Sequence, residues 1–158
     1  FHVNMMEEHN KWLYADKDPQ QRIATLDMFG TLLLFRLLCS AAMASDEGNI
    51  GVHFELATDN LGNECCILNE KTKKWPMCIV LMQLIWEAHQ RGAAIGIIHK
   101  KREYNKWADQ LAAGDYDGFD AEKRKIVTTE PGEFTIMGPL SKLKGMEKVR
   151  KKKKPKGK

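Results

Sequence analysis

The sequence predicts an α/β fold in which helices connect parallel strands. Two short apolar segments have the composition of strands, IGVHFELAT (Ile50–Thr58) and AAIGIIH (Ala93–His99). A long helical segment precedes the first strand, and helical patterns lie between and after the two. This alternation is typical of parallel strands, because the connecting helices carry the chain back to the start of the next strand. A length of 158 residues with 43% apolar composition fits one domain with an ordinary core.

Start and stop signals bound the predicted helices. Asp18-Pro19 is typical of an N-cap followed by a first helical position, and it predicts a long helix to about Ala44. Trp75-Pro76 opens a second helix, Met77–Arg91, which Gly92 ends. The other predicted elements are a short helix at Asn60–Asn69, a helix at Glu103–Ala113 ended by Gly114, and the end of a strand at His2–Met5.

Charge divides the chain into an acidic body and a basic tail. Lys142–Lys158 holds ten Lys/Arg and one acid, a net charge of +9, whereas the remainder has a net charge of −5. Such a tail predicts an anchor for a polyanion, RNA or DNA, with a solvated tail or a nuclear-import signal as the alternatives. The candidate nucleic-acid-binding residues are Lys148, Arg150, Lys151, Lys152, Lys153, Lys154, Lys156 and Lys158.

Cysteines and hydropathy indicate the compartment. The four cysteines include an adjacent pair and no C-x-x-C, and no His lies at zinc-ligand spacing, which indicates reduced thiols in an intracellular protein. Nucleus, cytoplasm and organelle all stay open. The longest apolar stretch, Met28–Ala44, is interrupted by Arg36 and is shorter than the roughly 20 residues of a membrane span, so no membrane partner is expected. Three tryptophans, Trp75, Trp86 and Trp107, are expected to pack rather than to stack on bases.

Three aspartates are the candidate metal ligands. Asp27 is the only charged residue between Arg22 and Arg36 in an otherwise apolar helical segment, where a carboxylate is costly without a partner. Asp59 ends the first strand, and Asp109 lies in the last predicted helix. Each alone could be a solvated or salt-bridged acid. Together they predict a cluster around a divalent cation such as Mg²⁺, which prefers carboxylate and water oxygens.

The motifs that carry these acids resemble a known family. RIATLDMFGTLL (Arg22–Leu33), ATDNLGN (Ala57–Asn63) and HKKREYNKWADQLAAG (His99–Gly114), in this order and at this spacing, are similar to the ribonuclease H (RNase H) domain of retroelement reverse transcriptases, closest to the DIRS-type, tyrosine-recombinase class. The resemblance implies an RNase H-like mixed sheet with flanking helices at residues 18–127. Residues 1–17 are then a remnant strand and loop, and residues 128–158 a loop and the basic tail.

The resemblance also implies a site and its chemistry. Active members hydrolyse the RNA strand of RNA–DNA hybrids with two metal ions held by four carboxylates. Asp27, Asp59 and Asp109 match three of these acids, and His99 and Arg102 match accessory positions. By this resemblance the first strands and their acid are missing, so the chain resembles an N-terminally incomplete domain, and Asp27 stands where the family normally has Glu. We therefore expect a non-catalytic RNA-binding component of a ribonucleoprotein with protein neighbours and no cofactor. The alternative is an active Mg²⁺-dependent ribonuclease H within a reverse transcriptase.

Overall fold

Two parallel strands and the helices around them make up the described part of the protein. The computed structural model describes residues 11–14, 18–44, 51–123, 127 and 133–141. The helices and strands are α1 (Pro19–Ala44), β1 (His53–Thr58), α2 (Leu61–Leu68), α3 (Met77–Gln90), β2 (Ala94–His99), α4 (Lys106–Ala113) and α5 (Met137–Ser141), with 3₁₀ turns at Lys11–Tyr14, Arg102–Tyr104 and Ala121–Lys123. The predicted α/β class is confirmed at this level.

The sheet described has two strands, which pair in parallel. His53 lies opposite Ala94 at one end of the register, and Thr58 lies opposite His99 at the other. Helices α2 and α3 form the crossover between the strands, as the sequence predicts. The finer prediction, a larger RNase H-like mixed sheet, goes beyond what the described strands contain.

One face of the sheet is buried against helices and the other is open. Leu56 and Thr58 are buried, and Phe54 packs edge-on against Phe35 of α1 with ring centroids 5.7 Å apart. On the opposite face Ala57 is exposed and Ile98 retains 48% of its surface. Parallel sheets are usually covered on both faces, so the open face leaves apolar surface in contact with solvent.

Helix α1 is the central core element. Its buried side chains pack against α3 and the C-terminal segment, and they include Met28, Phe29, Leu32, Leu33, Phe35 and Cys39. By length and composition alone Pro19–Ala42 could cross a membrane, with a mean hydropathy of 1.6. A core helix of a soluble protein has the same property, so this composition gives only weak support for a membrane span.

Most predicted boundaries agree with the structure within about two residues, and one helix begins later than predicted. Helix α1 starts at Pro19, with the Asp18 carboxylate accepting a hydrogen bond from the Gln20 amide at 3.0 Å. The predicted helix Glu103–Ala113 is wrong in its first turn. A 3₁₀ turn occupies Arg102–Tyr104 and α4 begins only at Lys106, because Asn105 leaves helical geometry at φ −106° and ψ 28°. The predicted strand His2–Met5 and the tail residues Lys148–Lys158 lie outside the described residues.

A buried charge cluster fastens the C-terminal segment to the core. Glu87 on α3 is 1% exposed and accepts hydrogen bonds from Arg36, Arg91 and Gln83. The Gln83 side-chain oxygen accepts from the backbone amides of Ile136 and Met137, at 2.7 and 3.2 Å. This Glu87 cluster (Arg36, Gln83, Glu87 and Arg91) therefore joins α1, α3 and residues 133–141 through polar groups within the core.

Candidate functional site

The carboxyl ends of β1 and β2 meet at one edge of the sheet, and three of the predicted site residues, Asp27, Asp59 and His99, lie at this edge. The Lys100 amide donates to the Thr58 carbonyl at 2.7 Å, which keeps the two strand ends together. Asp59 directly follows the last residue of β1, and His99 is the last residue of β2. Sites in open parallel sheets commonly lie at this edge. We call Asp27, Asp59, Asn60, Glu64 and His99 the strand-end site.

Asn60 is the residue that joins the parts of this site. Its Oδ1 accepts from the Asn63 amide at 3.2 Å and so caps helix α2. Its Nδ2 donates to Asp27 Oδ2 on α1 at 3.1 Å. An amide side chain has one acceptor and one donor end, so Asn60 makes both bonds at once. An aspartate in its place could make only the first.

The charged form of the Asp27 carboxylate is destabilised by its surroundings. Burial raises the pKa of Asp27 above its usual value, and the negative charge of Asp59 raises it further, whereas the hydrogen bond from Asn60 lowers it in part. Asp27 and Asp59 therefore lie close enough to repel each other. A carboxylate whose charged form is disfavoured by burial and by a neighbouring acid is a candidate site for a cation or a shared proton.

His99 and Glu64 complete the strand-end site through backbone groups. His99 Nε2 lies 3.2 Å from the Asp59 carbonyl oxygen, a contact in which the ring nitrogen donates. The His99 amide donates to Glu64 Oε1 at 2.8 Å, from the first turn of α2. His99 thus touches the main chain of Asp59, and these contacts fix the end of β2 against the start of α2.

Asn63 anchors α2 to α1 beneath this site. It is fully buried, and its Nδ2 donates to the Ala24 carbonyl at 3.0 Å, one turn before Asp27. Its Oδ1 is buried without a hydrogen-bond partner among the described residues. The anchor fixes the start of α2, and hence the position of Asn60 beside Asp27.

The third predicted acid lies in a different environment. Asp109 Oδ2 accepts from Arg102 Nε at 3.5 Å, and the two side chains retain 45% and 79% of their surface. Helix α4, which carries Asp109, has no buried residue. Within the described ranges, no group of three or more His, Cys, Asp or Glu side chains is arranged to hold a metal ion. The metal role of Asp27, Asp59 and Asp109 stays a prediction, with only the first two placed as neighbours.

Several features of the site and its surroundings were missed or misassigned from the sequence. Glu64 was not singled out, and Asn60 was predicted only as the first residue of a short helix, although Asn at the N-cap followed by Glu in the first helical turn is a recognisable capping pattern. The packing prediction for Trp107 is wrong, because this side chain is 77% exposed. Trp86 is 37% exposed, at the edge of the packed surface.

Comparison with known proteins gives no match: no family model, curated protein or solved structure is similar to this chain. What the protein does is therefore inferred from its own residues and from the motif resemblance described above.

Proposed function

We propose that this chain is an RNase H-like domain that binds RNA without cleaving it and serves as a structural component of a ribonucleoprotein. One observation carries the non-catalytic part. The strand-end site has two neighbouring acids, Asp27 and Asp59, and Asp27 is already bonded to Asn60, while Asp109 is paired with Arg102. Among the described residues, no group of three or more such side chains is arranged to hold a metal ion, which supports a site without catalysis.

The order and placement of elements support the RNase H-like assignment. A long helix with an acid precedes a strand that ends in Thr-Asp-Asn, and a second, parallel strand leads into the helix with Asn-x-x-Ala-Asp. The first acid, Asp27, lies beside the acid at the strand end. This proximity supports the proposal that Asp27 and Asp59 correspond to two of the family's acids.

Electrostatics support the absence of catalysis. Two-metal hydrolysis needs ions held about 3.5–4 Å apart by several charged carboxylates. The pKa of Asp27 is raised by burial, so its charged form is disfavoured before any ion is bound. Asp27 is also one methylene shorter than the glutamate that the family normally has at this position. Both effects weaken metal binding at the strand-end site.

The RNA part of the proposal is supported by charge. The tail carries a net charge of +9 on an otherwise acidic chain, so attraction to phosphate is concentrated in Lys142–Lys158. Lysine and arginine contacts to phosphate release counterions and give affinity without base specificity. An acidic body with such a tail fits a component that is anchored on RNA within a larger assembly.

The proximity of Asp27 and Asp59 favours one alternative, an active ribonuclease H. Paired carboxylates at the ends of parallel strands suit Mg²⁺, and further acids would then come from residues beyond those described or from another part of a longer protein. In that case the chain would cleave RNA in RNA–DNA hybrids.

Two matched pairs of variants separate these functions. Asp59→Asn is compared with Asp117→Asn, which removes the same charge from an exposed loop position. The tail variant, with Lys151, Lys152 and Lys153 replaced by Gln, is compared with a control in which the exposed Lys71, Lys73 and Lys74 are replaced. Each variant is tested for RNA affinity across a salt series and for Mg²⁺-dependent cleavage of a labelled hybrid.

The proposal expects no cleavage by any of these proteins and weaker RNA binding by the tail variant. The log–log slope of affinity against salt should become shallower by up to about 2, since each lost phosphate contact on a single strand contributes about 0.7. Asp59→Asn and both controls should bind as the unmodified chain does. Cleavage by the unmodified chain that disappears in Asp59→Asn would replace the proposal with the active enzyme.

A further inference from the structure

The segment that leads from β2 into α4 exposes aromatic and cationic side chains together. Trp107 is 77% exposed and Tyr104 is 66% exposed, the two most exposed large apolar side chains of the described part. Lys100, Lys101 and Lys106 surround them in sequence and are all exposed. We call these five residues the aromatic–cationic surface. Arg102 is not included, because it is paired with Asp109.

Local backbone structure keeps these side chains close to one another. The Tyr104 amide donates to the Lys101 carbonyl at 2.9 Å, and the Ala108 amide donates to the Asn105 carbonyl at 3.0 Å, so the chain turns tightly on both sides of Tyr104. Lys101 immediately precedes the 3₁₀ turn that ends at Tyr104, so the two residues lie three positions apart across one turn. Trp107 follows three residues later, in the first turn of α4.

We infer that the aromatic–cationic surface binds single-stranded RNA, with bases stacked on Tyr104 and Trp107 and phosphates on the three lysines. This inference rests on the RNA binding proposed above and adds a second contact on the folded body. An exposed indole and phenol are costly in water, yet they are the side chains on which bases stack in proteins that hold single strands. Their cationic neighbours suit phosphates that follow the stacked bases.

Charge distinguishes this occupant from a protein partner. Within Lys100–Trp107 the only acid is Glu103, so this segment is locally basic although the chain without its tail has a net charge of −5. Acidic side chains flank the segment, with Glu64 at the His99 amide and Asp109 paired with Arg102. The loop acids Asp115, Asp117 and Asp120 follow the far end of α4. An apolar protein contact would not require lysines interleaved with the two rings, whereas a single strand would.

Tryptophan emission gives a direct readout of stacking in the full-length chain, which has four tryptophans. Titration with oligo(U) should quench the emission of the unmodified protein. Trp107→Phe should bind with similar affinity, because phenylalanine also stacks, but should lose the quenching. Trp86→Phe, which alters a tryptophan outside the surface, should keep it. Quenching that persists in Trp107→Phe would overturn the inference.

Affinity measurements supply the second test. Tyr104→Ala and Trp107→Ala should each weaken oligo(U) binding by at least about 5-fold, while Trp86→Ala should not. Gln at Lys100, Lys101 and Lys106 should make the log–log salt slope shallower by about 2, whereas Gln at Lys71, Lys73 and Lys74 should leave it unchanged. A duplex of the same length should compete poorly, since its bases are not free to stack. Equal competition by the duplex, or no effect of the alanine variants, would refute the inference.

The tail variant separates this inference from the proposed function. If the variant lacking Lys151, Lys152 and Lys153 binds less tightly but still shows the quenching that depends on Trp107, the surface acts independently of the tail. If the tail variant binds normally, the tail part of the proposed function fails while the surface stands. Sedimentation completes the test: an unmodified dimer that Tyr104→Ala with Trp107→Ala makes monomeric would show a protein contact there and overturn the RNA assignment.

Discussion

The Glu87 cluster should contribute more to stability than any other polar contact described in this chain. Glu87 is 1% exposed, and both of its carboxylate oxygens accept from Arg36 Nε at 2.8 Å. The Arg36 guanidinium also lies 4.0 Å from the centre of the Phe134 ring and donates to the Glu133 carbonyl. Arg36→Met keeps the apolar stem of the side chain but removes every one of these contacts.

The expected cost of Arg36→Met follows from what remains around Glu87. Removing one partner of a buried ion pair typically costs 3–5 kcal/mol, roughly, because the other charge stays buried. Glu87 would keep Arg91 and Gln83, so we expect the lower end, about 3 kcal/mol. Arg91→Met is the matched control. Its side chain is one-third exposed and Glu87 would keep Arg36, so about 1 kcal/mol is expected.

Chemical denaturation at pH 7 measures both costs, and thermal unfolding should show a drop of about 6–12 °C for Arg36→Met. Burial alone would raise the pKa of Glu87, but the hydrogen bonds from Arg36 and Gln83 and the charges of both arginines outweigh burial and hold its pKa below the usual value. The stability from this lowered pKa is present above the unfolded value near 4.5 and is lost as pH falls through the folded value. The difference between Arg36→Met and the unmodified chain should therefore shrink at acidic pH. A cost for Arg36→Met no larger than that for Arg91→Met would refute the reasoning.

Two further predictions concern the strand-end site. Asp27→Asn should raise the melting temperature at pH 7, because the raised pKa of Asp27 means that its charged form is disfavoured in the folded state. The gain should vanish as pH falls through the folded pKa. An unchanged or lower melting temperature at pH 7 would contradict the prediction. Asn60→Asp keeps the cap on α2 but replaces the hydrogen bond to Asp27 with a repulsion between two carboxylates. The protein should therefore be destabilised by roughly 1.5–3 kcal/mol, the usual contribution of a hydrogen bond to a charged group. Combining both substitutions exchanges donor and acceptor, so the double variant should be more stable in urea titrations than the sum of the two single effects predicts, whereas additive effects would show that the contact is unimportant.

Local signals in the sequence predicted the elements well because each element is determined mainly by its own residues. Asp18-Pro19 begins α1, Asn60 caps α2, and Gly92, with φ +59°, follows the end of α3 in a conformation that glycine adopts without strain. The exception is the start of α4. The segment Arg102–Asn105 has acceptable helix formers, and only the backbone at Asn105 shows that the 3₁₀ turn does not continue into the α-helix.

The arrangement of side chains was less predictable because it depends on contacts between distant segments. Arg36 and Glu87 are 51 positions apart, and nothing in either local sequence identifies the other as its partner. The position of Asp109 depends on what α4 packs against, and the amphipathic pattern of a helix does not specify its neighbour. Asp27 and Asp59 could be identified as site candidates from the sequence. An acid within an apolar helix and an acid at a strand end are each unusual enough to be noticed singly.

The choice of asparagine at position 60 decides how much negative charge the strand-end site can hold. With Asn60 donating to Asp27, the site has three acids, Asp27, Asp59 and Glu64, of which Asp27 has a raised pKa. An aspartate at position 60 would add a further carboxylate about 3 Å from Asp27, an arrangement that is stable only with a bound cation or a shared proton. The amide of Asn60 instead donates a hydrogen bond to Asp27, which stabilises the charged carboxylate and lowers its pKa in part.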